Sequence, residues 1–256
     1  MALVLYNQAE IQKMRDAGRL TAEIFALLGE RVKPGVTTAE LDTLAENYIR
    51  KHGATPAYKG YKPRFSARPF PATICVATND VICHGFPSKK PLKSGDIVGI
   101  DIGLNLNGWY GDACVTYAVG TLAPETAHLL EVAQESLWRG IHATQAGKRL
   151  GDIGYAIQSY VEQHGFSVVR EWSGHGVGRR LHEDLSIPHY GKPGTLQKLL
   201  PGMIFTIEPM VNVGSPENYV DKQDGWTVRT TDGSLSAQFE HSLVVTSNGP
   251  EILTQV

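Results

Sequence analysis

Leu92-Lys-Ser-Gly95-Asp-Ile97-Val-Gly-Ile100-Asp101 returns 107 residues later as Leu199-Leu-Pro-Gly202-Met-Ile204-Phe-Thr-Ile207-Glu208, with four of ten positions identical and an acid closing each copy. A second pairing, at an offset of 128, sets Asp112-Ala-Cys-Val-Thr-Tyr-Ala-Val against Glu240-His-Ser-Leu-Val-Val-Thr-Ser, again with a carboxylate heading a β-rich run. A third, at 112, aligns Gly35 with Gly147, Leu41 with Ile153, Tyr48 with Tyr160 and His52-Gly53 with His164-Gly165. Each half of the chain therefore reads as a helix, a His-Gly stop, and strands that carry an acid. Chance seldom places acids on apolar strands twice in register, and a carboxylate on a buried strand is costly unless something positive compensates it.

Other elements follow from periodicity. Ile11, Met14, Leu20, Ile24, Phe25 and Leu28 mark an amphipathic helix over residues 8–31. Pro34-Gly35 interrupts it, and Thr37-Thr38-Ala-Glu40 opens the next helix with a capping arrangement. A further helix spans 121–146, between the repeats. Helices mixed with antiparallel hairpins predict an α+β fold rather than a βαβ array, in one catalytic domain over 1–256 with halves of about 1–120 and 121–256.

The chain has 256 residues, 42% of them hydrophobic, enough to bury a substantial core. Its formal charge of −2 gives no global attraction to nucleic acid or to an anionic membrane. No apolar run approaches the roughly 18 residues of a membrane span. The first residues have neither a basic region nor an apolar stretch long enough for a signal peptide. Cys75, Cys83 and Cys114 form no C-x-x-C pair, which fits free thiols in a reducing cytoplasm and no zinc-binding extension.

Asn107-Gly108 is a hairpin signal. A two-residue turn there puts Gly103 opposite Asp112, with Asp101 two residues along the same face. The two acids are then diagonal neighbours roughly 7–8 Å apart at Cα, within reach of a shared ion. Ile97, Val98, Ile100 and Ile102 make this strand buried on both faces, which disfavours a solvent-facing pair. Glu208 ends one buried strand and Glu240 sits in another. Four carboxylates aimed at one centre repel strongly without cations. His175, in Ser173-Gly-His-Gly-Val-Gly178, completes an oxygen-rich set with one nitrogen. Its glycines allow close backbone approach, but G-x-G-x-G without a Rossmann unit or a P-loop lysine does not make a nucleotide loop.

This donor set suits Mn²⁺, Fe²⁺ or Co²⁺, with Zn²⁺ also admitted, better than a closed structural zinc site. Four carboxylates neutralise two divalent cations, and paired ions make a hydroxide nucleophile available at neutral pH. His84 and His182 are candidates for substrate contact, whereas His189 and His241 read as structural. A Cys83–His84 nucleophile fails on this reading, because adjacent residues on a strand face opposite sides. The segment 55–71, with its prolines, four cations and four aromatics, is either a solvated connector or a lid over a site.

These residues resemble the type I methionine aminopeptidases over essentially the whole chain. The resemblance rests on Asn79-Asp-Val-Ile-Cys-His-Gly85, Ile100-Asp101 through Gly111-Asp112, Ser173-Gly-His-Gly-Val-Gly178 with His182-Glu183, Phe205-Thr-Ile-Glu-Pro-Met210, and Ser234-Leu-Ser-Ala-Gln-Phe-Glu-His241. It implies the pita-bread fold, with pseudo-twofold duplicated halves and a curved antiparallel sheet flanked by helices. It implies two divalent cations held by Asp101, Asp112, His175, Glu208 and Glu240, with Asp112 and Glu240 bridging. The implied activity is removal of the initiator methionine from nascent chains when the second residue is small. His84 would lie near the scissile nitrogen, His182 would stabilise the oxyanion, and Glu208 would carry the proton to the leaving amine. Cys75 and Trp226 match positions lining the methionine pocket.

Two departures from the family pattern stand out. Leu181 occupies a position where relatives often carry an aromatic, and the 55–71 segment is longer than usual. Among Tyr58, Tyr61, Phe65 and Phe70, Phe70 is the favoured pocket wall, from its distance to Cys75. The resemblance further implies a cytoplasmic monomer acting on the N-termini of nascent proteins, with no membrane or DNA partner. Lys59, Lys62, Arg64 and Arg68 offer an edge for transient ribosome contact. Two other readings are a prolidase-like Xaa-Pro peptidase and a non-catalytic pita-bread binding module. The short His182–Glu208 spacing leaves no room for the type II insert. Too few residues precede the first repeat for a prolidase N-terminal domain, and all five ligands are retained.

Overall fold

The structure, a computed structural model, describes residues 3–63 and 66–255. Arg64 and Phe65, two loop residues singled out above, lie outside the described residues. Among the described residues four helices come in two pairs, α1 (Gln8–Gly29) with α2 (Thr38–Lys51) and α3 (Pro124–Ala143) with α4 (Leu150–Gln163), each pair followed by antiparallel strands. Strands β1 (Thr55–Pro56), β2 (Cys75–Thr78), β3 (Val81–Cys83), β4 (Ile97–Leu106) and β5 (Trp109–Ala118) fall in the first part of the chain. There follow β6 (Ser167–Val168), β7 (Gly174–Gly176), β8 (Glu183–Ile187), β9 (Ile204–Ile207) and β10 (Met210–Asn212). The last are β11 (Asn218–Val220), β12 (Val228–Thr230), β13 (Ser236–Gln238), β14 (His241–Thr246) and β15 (Gly249–Ile252). The α+β expectation holds, with every strand pairing antiparallel.

Local chemistry explains where the helices begin. Asn7 with Glu10 and Thr37 with Glu40 form capping boxes, and Pro124 stands in the first turn of α3. The sequence periodicity overran the ends of α1 and α3 by two or three residues, as frayed boundaries do.

The internal repeat recurs as matched geometry. Gly35 and Gly147 share φ +92°, and Gly95 and Gly202 have φ +96° and +91°. Each His-Gly stop ends its helix in the same way, with Nδ1 of His52 donating to the Tyr48 carbonyl and Nδ1 of His164 to that of Tyr160, both at 2.8 Å. The bridge Thr37–Pro91 has its counterpart in Arg149–Lys198.

Two principal sheets meet at the centre. One carries β1, β4, β2 and β5, and the other runs β15-β14-β9-β7-β8. The strand period of two sorts their side chains. On β4, Val98, Ile100, Ile102 and Leu104 join the core formed with α1 and α2, where Ile11, Met14, Ile24, Leu28, Leu41 and Ile49 are buried. On β9, Phe205 and Ile207 enter a second core with α3 and α4, together with Leu243 and Val245 of β14. The opposite faces of the same strands carry Gly99, Asp101 and Gly103 on β4, Asp112, Cys114 and Thr116 on β5, and Thr206 followed by Glu208 at β9. The sheets touch where the amide of Glu240 donates to the carbonyl of Cys114 at 2.8 Å, and Ser242 Oγ donates to the carbonyl of Asp112 at 2.6 Å.

The acids are thus held by cores on the far side of each strand. Ile100 and its repeat counterpart Ile207 are both fully buried. Truncating either to alanine is expected to cost about 2–5 kcal/mol of stability in urea unfolding. A loss under about 1 kcal/mol at both positions would contradict this account of the scaffold.

Candidate metal centre and cavity

The Asn107-Gly108 turn has both residues at positive φ, +53° and +85°, and it fixes the register of the hairpin. Gly103 lies opposite Asp112 and Asp101 opposite Cys114, as the turn predicted. Asp101 and Asp112 therefore share one face. A single tyrosine hydroxyl joins them: Tyr58 Oη is 2.5 Å from Oδ1 of each. Its one hydroxyl hydrogen serves only one of these acceptors at a time. Tyr58 reaches this position because Gly103 has no side chain; a Cβ there would stand 2.8 Å from the phenol ring.

His175 approaches from β7. Its Nδ1 lies 3.1 Å from the Gly176 carbonyl, which only accepts, so Nδ1 bears the hydrogen and Nε2 presents a lone pair. That lone pair lies 3.5 Å from Asp112 Oδ2 and 3.7 Å from Glu208 Oε1. Ligand atoms of Asp112, His175 and Glu240 all fall within 4.8 Å of one another. Among the described residues, no lysine or arginine forms an ion pair with Asp101, Asp112, Glu208 or Glu240. Electron-rich atoms crowd a buried point with no side-chain cation among them. Oxygen donors with one imidazole nitrogen match a divalent cation of the Mn²⁺, Fe²⁺, Co²⁺ or Zn²⁺ kind, and the residues fit such a group.

The same crowding moves the titrations. Burial pushes Asp101 up to about 7, against the hydrogen bond from Tyr58. Burial also pushes Glu208 up to about 8, with Thr206 opposing and Asp101 adding to the rise. Asp112 is driven well above the carboxylate range by burial and then by Asp101; Glu240 is driven up by burial and then by Asp112. Burial, with His182 nearby, pushes His175 down to about 3 and His84 to about 4, so both are neutral at physiological pH.

Glu208 is held on three sides. The Thr206 hydroxyl accepts from the His175 amide at 3.0 Å and donates to Glu208 Oε1 at 2.8 Å. Gln238 Nε2 donates to Oε2 at 3.3 Å. The amide of Glu208 donates to His189 Nε2 at 3.1 Å, so His189, read from sequence as merely structural, braces a candidate ligand. Sequence reasoning passed over Thr206 and Gln238. The usable signal was spacing: each lies two residues before a candidate acid, Glu208 or Glu240.

The four acids and His175 line one cavity of about 290 Å³. The ligand and substrate-contact residues expected from sequence all border it: four acids and the His175 imidazole, then His84, His182, Cys75, Phe70 and Trp226. The apolar end is a cluster of Tyr58, Phe70, Ala72, Cys75, Leu181 and Trp226. Phe70 is its hub, edge-on to Trp226 at 5.0 Å, to Phe86 at 5.1 Å and to Tyr58 at 6.2 Å.

Segment 55–71 is therefore no solvated connector. It opens as β1 on β4 and buries Tyr58 and Phe70. The reading that set Cys83 and His84 on opposite faces is corrected. His84 has φ +58°, beyond the end of β3, and that turn brings both residues to the cavity. Burial pushes the Cys83 thiol far up, away from a thiolate nucleophile.

A family model described as metallopeptidase family M24 matches residues 12–247. The chain is 49% identical to methionine aminopeptidase 1 of Bacillus subtilis (strain 168) over 255 residues, covering 99% of this chain and 100% of that one. Its structure superposes on the crystal structure of methionine aminopeptidase from Rickettsia prowazekii with a TM-score of 0.95 and 47% identity, covering 99% and 100% of the two chains. The Xaa-Pro dipeptidase of Bacillus anthracis shares the fold at a TM-score of 0.76 and 24% identity, the match covering 98% of this chain and 62% of that one.

Above about pH 6.5 imidazoles such as His84 and His175 are neutral in the folded and unfolded chain alike, while Asp101 and Glu208 still hold extra protons in the folded, metal-free protein, so it binds more protons than the unfolded chain between about pH 6.5 and pH 8. Its stability then falls as pH rises through that window. Thermal unfolding of the metal-free protein is expected to show a lower midpoint at pH 8 than at pH 6.5, and added Mn²⁺ to raise the midpoint more at pH 8. A metal-free midpoint that climbs over this range would refute the protonated cluster.

Proposed function

The chain belongs to metallopeptidase family M24, and from that premise we propose that it releases the initiator methionine from nascent proteins whose second residue is small. It is a metal-dependent aminopeptidase, and its full-length relatives are methionine aminopeptidases. One observation carries the reading at the level of chemistry: the bare Nε2 of His175 and buried carboxylates surround one point without a lysine or arginine partner. An apolar cluster the size of one side chain lies beside it.

In this reading Asp101, Asp112, His175, Glu208 and Glu240 would hold two divalent cations, Mn²⁺, Fe²⁺ or Co²⁺ in preference to Zn²⁺. Bound there, they would supply positive charge to polarise the scissile carbonyl and acidify the attacking water. The protein's own groups do the remaining work. Phe70, Trp226 and Cys75 enclose the methionine side chain and exclude water from the reacting bond. His84, neutral and edge-on to Trp172 at 4.9 Å, stands beside the scissile nitrogen. His182 donates to the carbonyl oxygen as charge builds on it. Glu208, already poised near neutrality by its buried setting, passes the proton to the leaving amine.

The chain acts as a single catalytic unit over 1–256 with halves of about 1–120 and 121–256, and as a cytoplasmic monomer. Among the described residues no helix is long and apolar enough to cross a membrane. For transient ribosome contact, Lys59 is held by Glu46 at 2.7 Å, whereas Lys62 and Arg68 are exposed.

Asp101→Ala and Glu208→Ala are each expected to cut methionine release from Met-Ala-Ser by more than about 100-fold in Mn²⁺ or Co²⁺, since loss of a group that merely supports a ligand already costs about 10–100-fold. Full activity in either variant would overturn the ligand assignment. An Xaa-Pro dipeptide should be a poor substrate; faster turnover of it than of Met-Ala-Ser would favour the prolidase-like reading. Phe70→Ala is expected to lower kcat/KM for Met-Ala-Ser by about 10-fold through the lost pocket contact. Unchanged kcat/KM would remove Phe70 from the pocket wall.

A further inference from the structure

The loop between Tyr58 and Phe70 is closed by backbone hydrogen bonds. The Gly60 amide donates to the Phe70 carbonyl and the Phe70 amide to the Tyr61 carbonyl, each at 2.8 Å. Trp226 Nε1 pins the loop from outside by donating to the Arg68 carbonyl at 2.9 Å. This clip fixes the backbone of Tyr61, which lines the cavity. Its Oη lies 2.9 Å from Nδ1 of His182, with the ring centroids 5.2 Å apart. The His182 ring in turn lies 4.2 Å from that of His175.

A neutral imidazole carries one hydrogen, and the partner on one nitrogen decides whether the other is a donor or an acceptor. Between a phenol and an imidazole, the phenol is the natural donor and the ring nitrogen the natural acceptor. We propose that Tyr61 is a positioning residue: its hydroxyl donates to Nδ1 of His182 and so holds the hydrogen on Nε2, making His182 a donor towards the substrate's carbonyl oxygen. This rests on the aminopeptidase reading for its catalytic consequence, but the tautomer itself is a property of the free protein. The phenol ring has a second, separable role, since it lines the cavity. Removing only the hydroxyl therefore affects His182 and leaves the wall in place.

The test is long-range proton–nitrogen correlation of the imidazoles in the full-length, metal-free protein at pH 7.5, with His182→Asn used to assign the resonance. The wild type should show a bare Nδ1 and a protonated Nε2 at His182, and Tyr61→Phe should shift that ring to a mixture of tautomers. With Met-Ala-Ser and Mn²⁺, Tyr61→Phe should lower kcat about 10-fold while KM changes by less than about two-fold. Tyr61→Leu, which also removes the ring, should raise KM as well. A wild-type His182 protonated on Nδ1, or a Tyr61→Phe variant with both tautomer and kcat unchanged, would overturn the proposal. A wild type that fails to cleave Met-Ala-Ser while holding its hydrogen on Nε2, with the bias lost in Tyr61→Phe, would sink the aminopeptidase reading and support the tautomer assignment.

Discussion

Mutual repulsion of buried negative charge organises this protein. Asp101, Asp112, Glu208 and Glu240 come together on the inner faces of two sheets, and no described lysine or arginine pairs with them. Left alone, such a cluster keeps protons that ordinary carboxyls would shed, and the hydroxyl of Tyr58 wedged between two of them reports the same shortage of positive charge. Apolar packing on the far side of each strand must hold the acids where they would not otherwise stay. The ten-residue strand with isoleucine on one face and acid or glycine on the other meets both demands at once.

Duplication makes the arrangement economical. Each copy of the Gly-x-Ile-x-x-Ile-acid segment builds the same turn, sends alternate residues into its own helical core and presents one acid inward. Each copy's second acid lies close by, Asp112 on β5 and Glu240 at the isolated bridge to Cys114 just before β14. The imidazole breaks this equivalence. His175 belongs to one side alone, and the hydroxyl of Thr206 ties it to Glu208 on the neighbouring strand. Charge comes from the repeat, and the differences between individual ligands come from what each copy added.

Much of this was legible in the residue order. Asn107-Gly108 specifies a tight turn, a tight turn specifies register, and register places Asp101 and Asp112 on one face before any tertiary fact is known. Constant offsets carried the inference to Glu208 and Glu240. What could not be read depends on contacts between distant segments. The brace from His189 to the Glu208 amide spans nineteen residues and involves no pattern in either strand. The orientation of His84 turned on one left-handed backbone angle at the end of β3, which side-chain alternation cannot anticipate. The segment after Thr55 looked like a connector because its prolines and cations are those of a loop; that Tyr58 and Phe70 fold inward follows from Gly103 leaving space and from the aromatic company of Trp226 and Phe86.

The seam between the sheets has a consequence for how such a protein diversifies. At Glu240 the backbone hydrogen bond that joins the sheets and the side chain facing the cavity belong to the same residue, so sliding one sheet past the other would spoil donor spacing at once. The reactive centre is mechanically locked. The clip that ends at Phe70, by contrast, takes no part in that seam, and apart from Tyr61 and the Arg68 carbonyl that Trp226 holds, it can change in length or composition without stressing it. Selectivity is therefore free to drift while the chemistry stays fixed, and a lineage acquiring a new preference would be expected to alter the clip long before it altered a ligand.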